Sequence, residues 1–395
     1  MTFDVAVLRS HFPALAEGAA HFDGPGGSQV PGPVGEAMAG VLTSAISNRG
    51  TVTRAEQRAE AVVRDARAAL GHFVGTDPQG VVFGRSMTAL TYDLSRAMAK
   101  TWLPGDEVVV TRLDHDANVR PWVQAAESAG AGVRWLDFDP ETGELDPIEP
   151  LLSGRTRVVA VTAASNIIGT MPDVRALADL AHAAGALVHV DAVHYAAHVL
   201  VDRVALGADA LTCSPYKFLG PHCGVLTADP ALLETLHPDK LLPSSDAVPE
   251  RFELGTLPYE ILAGATAAVD FLAALAGDPG GGRRAALAAS WAAIEQHEDR
   301  LRARIETGLV DLGATVYSRA AHRTPTLLAS FEGHDSTAVR KHLAEADINA
   351  PAGCFYAVEA SRRLGLGDGG ALRLGVAPYT DDEDVDRLLA ALATL

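Results

Sequence analysis

Cysteine is scarce in this 395-residue chain, which holds only Cys213, Cys223 and Cys354 and no CxxC pair. Three scattered thiols exclude a disulfide framework, and their spacing lacks the ligand pattern of a structural zinc site. Cationic residues are also in short supply. Lys and Arg number 32 against 50 Asp and Glu, a net charge of −18, which argues against binding a phosphate backbone and so against a nucleic-acid partner. No apolar run reaches the roughly 18 residues a membrane-spanning helix needs, so no membrane partner is expected. The start, Met1-Thr-Phe-Asp-Val5, lacks a basic region followed by an apolar one, and a cytoplasmic protein is expected. Internal repeats and low-complexity tracts are missing too.

Apolar residues, by contrast, make up 48% of the chain and charged residues 21%. Together with the length, this predicts a large buried core and at least two domains. Strand-like apolar runs alternate with Ala-rich helical stretches between residues 80 and 226. Val81–Phe83, Glu107–Val110, Val158–Val161, Ala186–Val190 and Asp209–Cys213 are the strand candidates. Such β-α alternation predicts an α/β fold with a mostly parallel sheet covered on both faces. The glycine run Gly277-Asp-Pro-Gly-Gly-Gly282 reads as a boundary. A long amphipathic helix over 286–309 follows it, then strands at Thr326–Phe331 and Ala371–Gly375 and a closing helix from Thr380. The expected division is a large α/β domain over 21–282 and a smaller α+β domain from 1–20 and 283–395.

In open parallel sheets, ligands bind at the carboxyl ends of the strands. Here those ends carry Ser86-Met87-Thr88, Asp114-His115, Ser165-Asn166, Asp191 and Ser214-Pro-Tyr216-Lys217. Singly, each has an ordinary role: Thr88 and Ser165 as helix caps, Asn166 in a turn, Lys217 on the surface. Together they offer a hydroxyl, a histidine, an asparagine, an aspartate and a lysine at neighbouring strand ends. That set suits pyridoxal phosphate, which needs a Schiff-base lysine and an acid for its pyridine nitrogen. The turn entering a helix at Ser86–Thr88 suits its phosphate.

The same segments resemble the class V aminotransferase group of fold-type I pyridoxal phosphate enzymes. The resemblance rests on Asp114-His-Asp-Ala-Asn-Val-Arg-Pro-Trp122, Ser165-Asn-Ile-Ile-Gly-Thr170, Asp191-Ala-Val-His194, Ser214-Pro-Tyr-Lys-Phe-Leu-Gly-Pro221 and Phe252-Glu-Leu-Gly-Thr256. It runs from Phe22-Asp-Gly-Pro-Gly-Gly27 to the closing helix and is greatest to the cysteine desulfurase-like, selenocysteine lyase and isopenicillin-N epimerase-like members. It implies that Lys217 holds the cofactor and moves protons at the substrate Cα. Asp191 would pair with the ring nitrogen, His115 would stack on the ring, and Asn166 and His194 would lie near its phenolic oxygen. The phosphate would fall to Met87, Thr88, Ser214 and Tyr216, with Thr256 reaching in from a second subunit of a homodimer. Arg373 and Asn118 would contact a small amino-acid substrate, Arg373 by gripping its carboxylate.

Three positions depart from the better-known desulfurases. His194 stands where they carry glutamine, and Tyr216 where they carry histidine. Their sulfur-accepting cysteine follows a Gly-His-His-like stretch, whereas here Pro351-Ala-Gly-Cys-Phe-Tyr-Ala357 puts Cys354 directly after the glycine and Tyr356 in the expected place. A Cys354 that reaches the cofactor could take up sulfur as a catalytic thiol; one that packs inward could not. Cys213 and Cys223 read as core residues. The expected activity is desulfurase-like cleavage of a C–S bond, with β-elimination, epimerisation or decarboxylation as alternatives and a catalytically silent partner protein as the rival class. Gly365-Leu-Gly-Asp-Gly-Gly370 fits a dinucleotide-binding pattern but precedes a strand, the wrong context. His194 and His198 have a metal-like spacing without an HExxH glutamate, and no metal is expected.

Overall fold

The apolar runs in the middle of the chain pair into one sheet, as their alternation with helices requires. The computed structural model describes residues 3–277 and 279–395; Met1, Thr2 and Asp278, the last within the glycine-rich stretch read as a boundary, lie outside the described residues. A short first strand, β1 (Ala20–His21), precedes the seven strands of the sheet: β2 (Val81–Gly84), β3 (Glu107–Thr111), β4 (Gly132–Leu136), β5 (Thr156–Thr162), β6 (Leu187–Asp191), β7 (Ala210–Cys213) and β8 (Gly224–Ala228). Their spatial order is β2-β8-β7-β6-β5-β3-β4. Only β8 runs against the rest, antiparallel to both β7 and β2. The other six strands therefore end on one edge.

Alternate residues of each strand feed opposite cores, because successive side chains point to opposite faces. Val109, Val159, Val190 and Leu211 pack with Leu70 and Phe73 of the helix Arg54–Val74 and Leu262 of the helix Tyr259–Ala274. Val108, Val110 and Ala160 pack with Leu94 of Met87–Ala99 and Trp122 of Arg120–Ala129. Burial on both faces is what keeps a parallel sheet in register. Thr53 starts the first of these helices with a reciprocal cap, its hydroxyl on Glu56 N and the Glu56 carboxylate on its own N–H.

A second sheet holds β9 (Thr315–Val316), β10 (Thr326–Ser330), β12 (Ala352–Gly353) and β13 (Ala371–Gly375) in the antiparallel order β12-β13-β10-β9. Between them lies β11 (Ile348–Asn349), which pairs in parallel with β1. The helix Arg283–Asp311 serves two cores: Leu287, Trp291 and Ile294 enter that of the large sheet, Leu301, Ile305 and Leu309 that of the small one. The closing helix is Asp382–Leu392, with Asp381 as its N-cap in a reciprocal cap with Asp384. No helix among the described residues is long and apolar enough to cross a membrane.

Candidate active site

The common strand edge faces the small sheet across a cavity of about 670 Å³. Met87, Thr88, His115, Asn166, Asp191, His194, Tyr216, Lys217 and Arg373 all line it. Each arrives by a local device. Ser86 caps the helix Met87–Ala99 by accepting from Ala89 N at 3.2 Å, which leaves the first N–H groups of the helix available beside Thr88. Gly224 on β8 lets that helix start come close, since a Cβ there would lie 2.2 Å from the Ser86 carbonyl carbon. A single 3₁₀ turn, Pro215–Lys217, carries the chain from β7 to the lysine.

Burial dominates the electrostatics. The Lys217 ammonium donates to the Pro25 carbonyl, and desolvation, then the nearby Arg373 cation, lowers its pKa to about 7. Asp191 accepts one backbone N–H, from Val193 at 2.9 Å, and burial pushes its carboxyl up to about 6. His115 is lowered to about 4 by burial, then by Lys217 and Arg373, so its ring is neutral at physiological pH; its Nδ1 accepts from Ala117 N at 3.0 Å. Burial also holds His194 well below the usual imidazole range.

The opposite wall comes from the small sheet and from the segment after β1. Arg373 on β13 is 3% exposed. It reaches Asp23 at 2.8 Å and the Asn166 carbonyl at 3.1 Å, and its guanidinium lies 3.7 Å from the centre of the Phe355 ring. Asp23 and Phe355 are lining residues beyond those expected at the site, although Asp23 directly precedes the Gly24-Pro25-Gly26 stretch that marks a tight turn. A Cβ at Gly26 would sit 2.4 Å from both Asp23 carboxylate oxygens, so a side chain there would displace the carboxylate from its place beside Arg373. Phe355 and Tyr356 take φ of 53° and 58°, an uncommon left-handed pair. Two hydrogen bonds secure them to the large sheet: Asn166 Nδ2 donates to the Phe355 carbonyl (2.9 Å), and Asp116 N to that of Tyr356 (2.8 Å).

Four residues expected at the site fall outside the cavity lining. Asn118 is fully buried beneath it, donating to Asp114 at 2.7 Å and accepting from Trp122 Nε1 at 3.2 Å, with His189 Nδ1 at 2.9 Å. The turn Asp116–Asn118 turns its side chain inward, away from the cavity lining. Ser214 is buried behind the lysine turn, its hydroxyl without a protein partner. Thr256 is exposed beside a different cavity, of about 840 Å³, shared with His222 and Leu254. Cys354 is half-buried and precedes the two lining residues Phe355 and Tyr356 without lining the cavity itself. Cys213 and Cys223 are core residues.

The polar groups fit pyridoxal phosphate. Asn166 Oδ1, His194 Nδ1 and Arg373 Nε are buried without a protein partner, an arrangement that costs free energy unless a ligand satisfies them. A buried Asp191 with a raised pKa suits a cationic ring nitrogen, which would return it to its charged form.

The model of the Aminotransferase class-V family matches residues 20–388. An uncharacterized protein of Mycobacterium tuberculosis (strain CDC 1551 / Oshkosh), MT3887, is 35% identical, with 100% of both chains covered. A probable cysteine desulfurase of Pseudomonas aeruginosa is 30% identical over 97% of this chain and 96% of its own. Among solved structures, the cysteine desulfurase CsdA of Escherichia coli superposes with a TM-score of 0.87 at 27% identity, covering 99% of this chain and 98% of that one.

Proposed function

This chain belongs to the class-V aminotransferase family, and on that premise we propose that it is a pyridoxal phosphate-dependent, cysteine desulfurase-like enzyme cleaving the C–S bond of cysteine or a close β-substituted analogue. The observation that carries the reading is the meeting, in one cavity, of Lys217 with a pKa near 7, the buried Asp191 and the buried guanidinium of Arg373. When bound, pyridoxal phosphate supplies an electron sink that eases loss of a substituent from the substrate Cα.

The chain's own residues do the rest. Lys217 would hold the cofactor and, as an amine with a pKa near 7, take and return the Cα proton. Asp191 would hold the ring nitrogen, and His115 would stack on the ring as a neutral aromatic. Asn166 and His194 would hold the phenolic oxygen. Met87 N–H, Thr88, Ser214 and Tyr216 would hold the phosphate, with Thr256 of the partner subunit in a cytoplasmic homodimer. Arg373 would take the substrate carboxylate, steadied by Asp23 and Phe355.

A second reading, β-elimination without a protein thiol, is favoured by one observation: the wall where a sulfur-accepting cysteine would stand is made by Phe355 and Tyr356, not Cys354. The products separate the two. Desulfuration yields alanine with the sulfur transferred to a thiol, whereas elimination yields pyruvate, ammonia and sulfide. Cysteine is incubated with wild type and Cys354→Ser, and alanine, pyruvate and sulfide are measured. Alanine lost in the variant supports sulfur transfer through Cys354, and pyruvate unchanged in the variant supports elimination. Turnover of another amino acid with no product from cysteine would overturn the proposed substrate.

A further inference from the structure

The wall that carries Phe355 and Tyr356 is a turn that its own sequence does not favour. Ala357 N donates to the Cys354 carbonyl at 2.8 Å, and the two residues between them, both aromatic, take positive φ. Glycine and asparagine suit such positions, and bulky side chains adopt them only where the surrounding structure compensates the strain. The hydrogen bonds from Asn166 and Asp116 hold the backbone of the turn. Side-chain ion pairs hold the chain just beyond it.

Glu359, in the short helix Val358–Arg363, is their centre. Its carboxylate lies between two cations of the large domain, Oε2 at 2.6 Å from Arg112 Nη1 and Oε1 at 3.1 Å from Arg120 Nη2. Arg112 directly follows β3, and Arg120 opens the helix Arg120–Ala129. Arg120 Nε in turn donates to the Asp116 carboxylate at 2.8 Å, and Asp116 is the residue whose amide binds the Tyr356 carbonyl. The contacts therefore close on themselves: along the chain from Tyr356 to Glu359, across to Arg120, on to Asp116 and back. One helical turn beyond Glu359, Arg363 reaches Asp137 at 3.0 Å, and Asp137 lies 3.5 Å from Arg112. An isolated exposed ion pair contributes little, but several charges in a network contribute more. The shared Glu359 side chain is 16% exposed.

We propose that Glu359, gripped by Arg112 and Arg120, is a positioning residue for the substrate carboxylate. Neither Glu359 nor Arg112 lines the cavity; both act through the turn. While the turn stays left-handed, the Phe355 ring covers the Arg373 guanidinium at 3.7 Å and Cys354 stands outside the cavity lining. Released, the turn relaxes towards negative φ, which carries the ring off Arg373 and uncovers the thiol. This inference rests on the role of Arg373 given above and adds to it the charges that keep its aromatic cover in place.

Glu359→Gln tests it in the holoenzyme, because the amide keeps the shape and removes the charge that both arginines share. Alkylation of Cys354 by iodoacetamide, followed by mass spectrometry, should run about tenfold faster than in wild type. Cys213 and Cys223 are buried and should stay unlabelled. Alanine has a carboxylate but no leaving group, so its binding can be read from the visible absorbance of the cofactor. Its half-saturation should rise about fivefold in Glu359→Gln and move the same way in Arg112→Gln, whereas Glu359→Asp, which keeps the charge, should lie nearer wild type. Phe355→Leu should raise it as well, and adding Glu359→Gln to that variant should change almost nothing further, since both act through one ring. If Glu359→Gln lowers the melting temperature while either readout stays at its wild-type value, the network is structural only and the proposal is overturned. Independent, multiplying effects of Glu359→Gln and Phe355→Leu would overturn it too. A holoenzyme that binds no amino acid would instead overturn the role given to Arg373, and the alkylation rate alone then decides whether Glu359 holds the turn.

Discussion

The two cations of the cavity are held in opposite ways. Lys217 has a backbone carbonyl for its hydrogen-bond acceptor and, among the described residues, forms no ion pair. Burial therefore pushes it towards the neutral amine, to about 7. Arg373 is as deeply buried, yet Asp23 lies 2.8 Å away and the Phe355 ring covers its face. Burial lowers its pKa too, but a guanidinium does not give up its proton in a protein. One cavity thus holds one cation pushed towards its neutral amine and another that keeps its charge. The difference lies in residue chemistry and in which cation is given a carboxylate.

Exchanging or removing the two cations should break this contrast most severely. Lys217→Ala should lower kcat by about 10³- to 10⁴-fold and abolish the borohydride-fixed cofactor adduct, measured by absorbance after reduction; a retained adduct would mean another lysine carries the cofactor. Arg373→Lys keeps the charge but loses the fork, so KM should rise about 10- to 100-fold with a smaller change in kcat. The contrast is sharpened by pH. Because the folded-state value of Lys217 lies near 7, far below the roughly 10.4 of an unfolded chain, the rate at which cofactor-free protein captures pyridoxal phosphate should climb about tenfold per pH unit up to pH 7 and then level off. A rate still climbing at pH 9 would mean an ordinary amine. The unfolded chain binds the extra proton between about pH 7 and 10, so the cost of burying Lys217 is relieved as pH rises through that window. Asp23→Asn should have the smallest effect. Its carboxylate is 44% exposed, and water screens the pair, so KM should rise about fivefold, or about 1 kcal/mol.

The legible half of the site was the half built on consecutive strand ends. Asp191, Lys217, Asn166 and Thr88 follow apolar runs, and the topology of a parallel sheet brings such ends together without further information. Asp23, Phe355 and Tyr356 reach the cavity through contacts across more than 150 residues, Asp23 to Arg373 and Phe355 to Asn166, which no periodicity records. Asn118 shows the limit of spacing as a guide. It stands at a strand end like the others, but a 3₁₀ turn directs it to Asp114, Trp122 and His189. The antiparallel β8 escaped for a similar reason, because a run buried on both faces reads alike in either direction. Tertiary packing, which decides direction and rotation, supplied what the local pattern could not.

The thiols carry a practical consequence. Cys213 and Cys223 are buried, and burial raises both, Cys223 to about 12, so neither should react readily with an alkylating reagent. Cys354, the one thiol not buried, sits beside the left-handed pair that closes the cavity. Wild-type protein therefore comes with a single natural attachment point for a fluorophore or spin label. It stands beside the small-sheet wall, where a dye could report the arrival of an amino acid without any engineered cysteine.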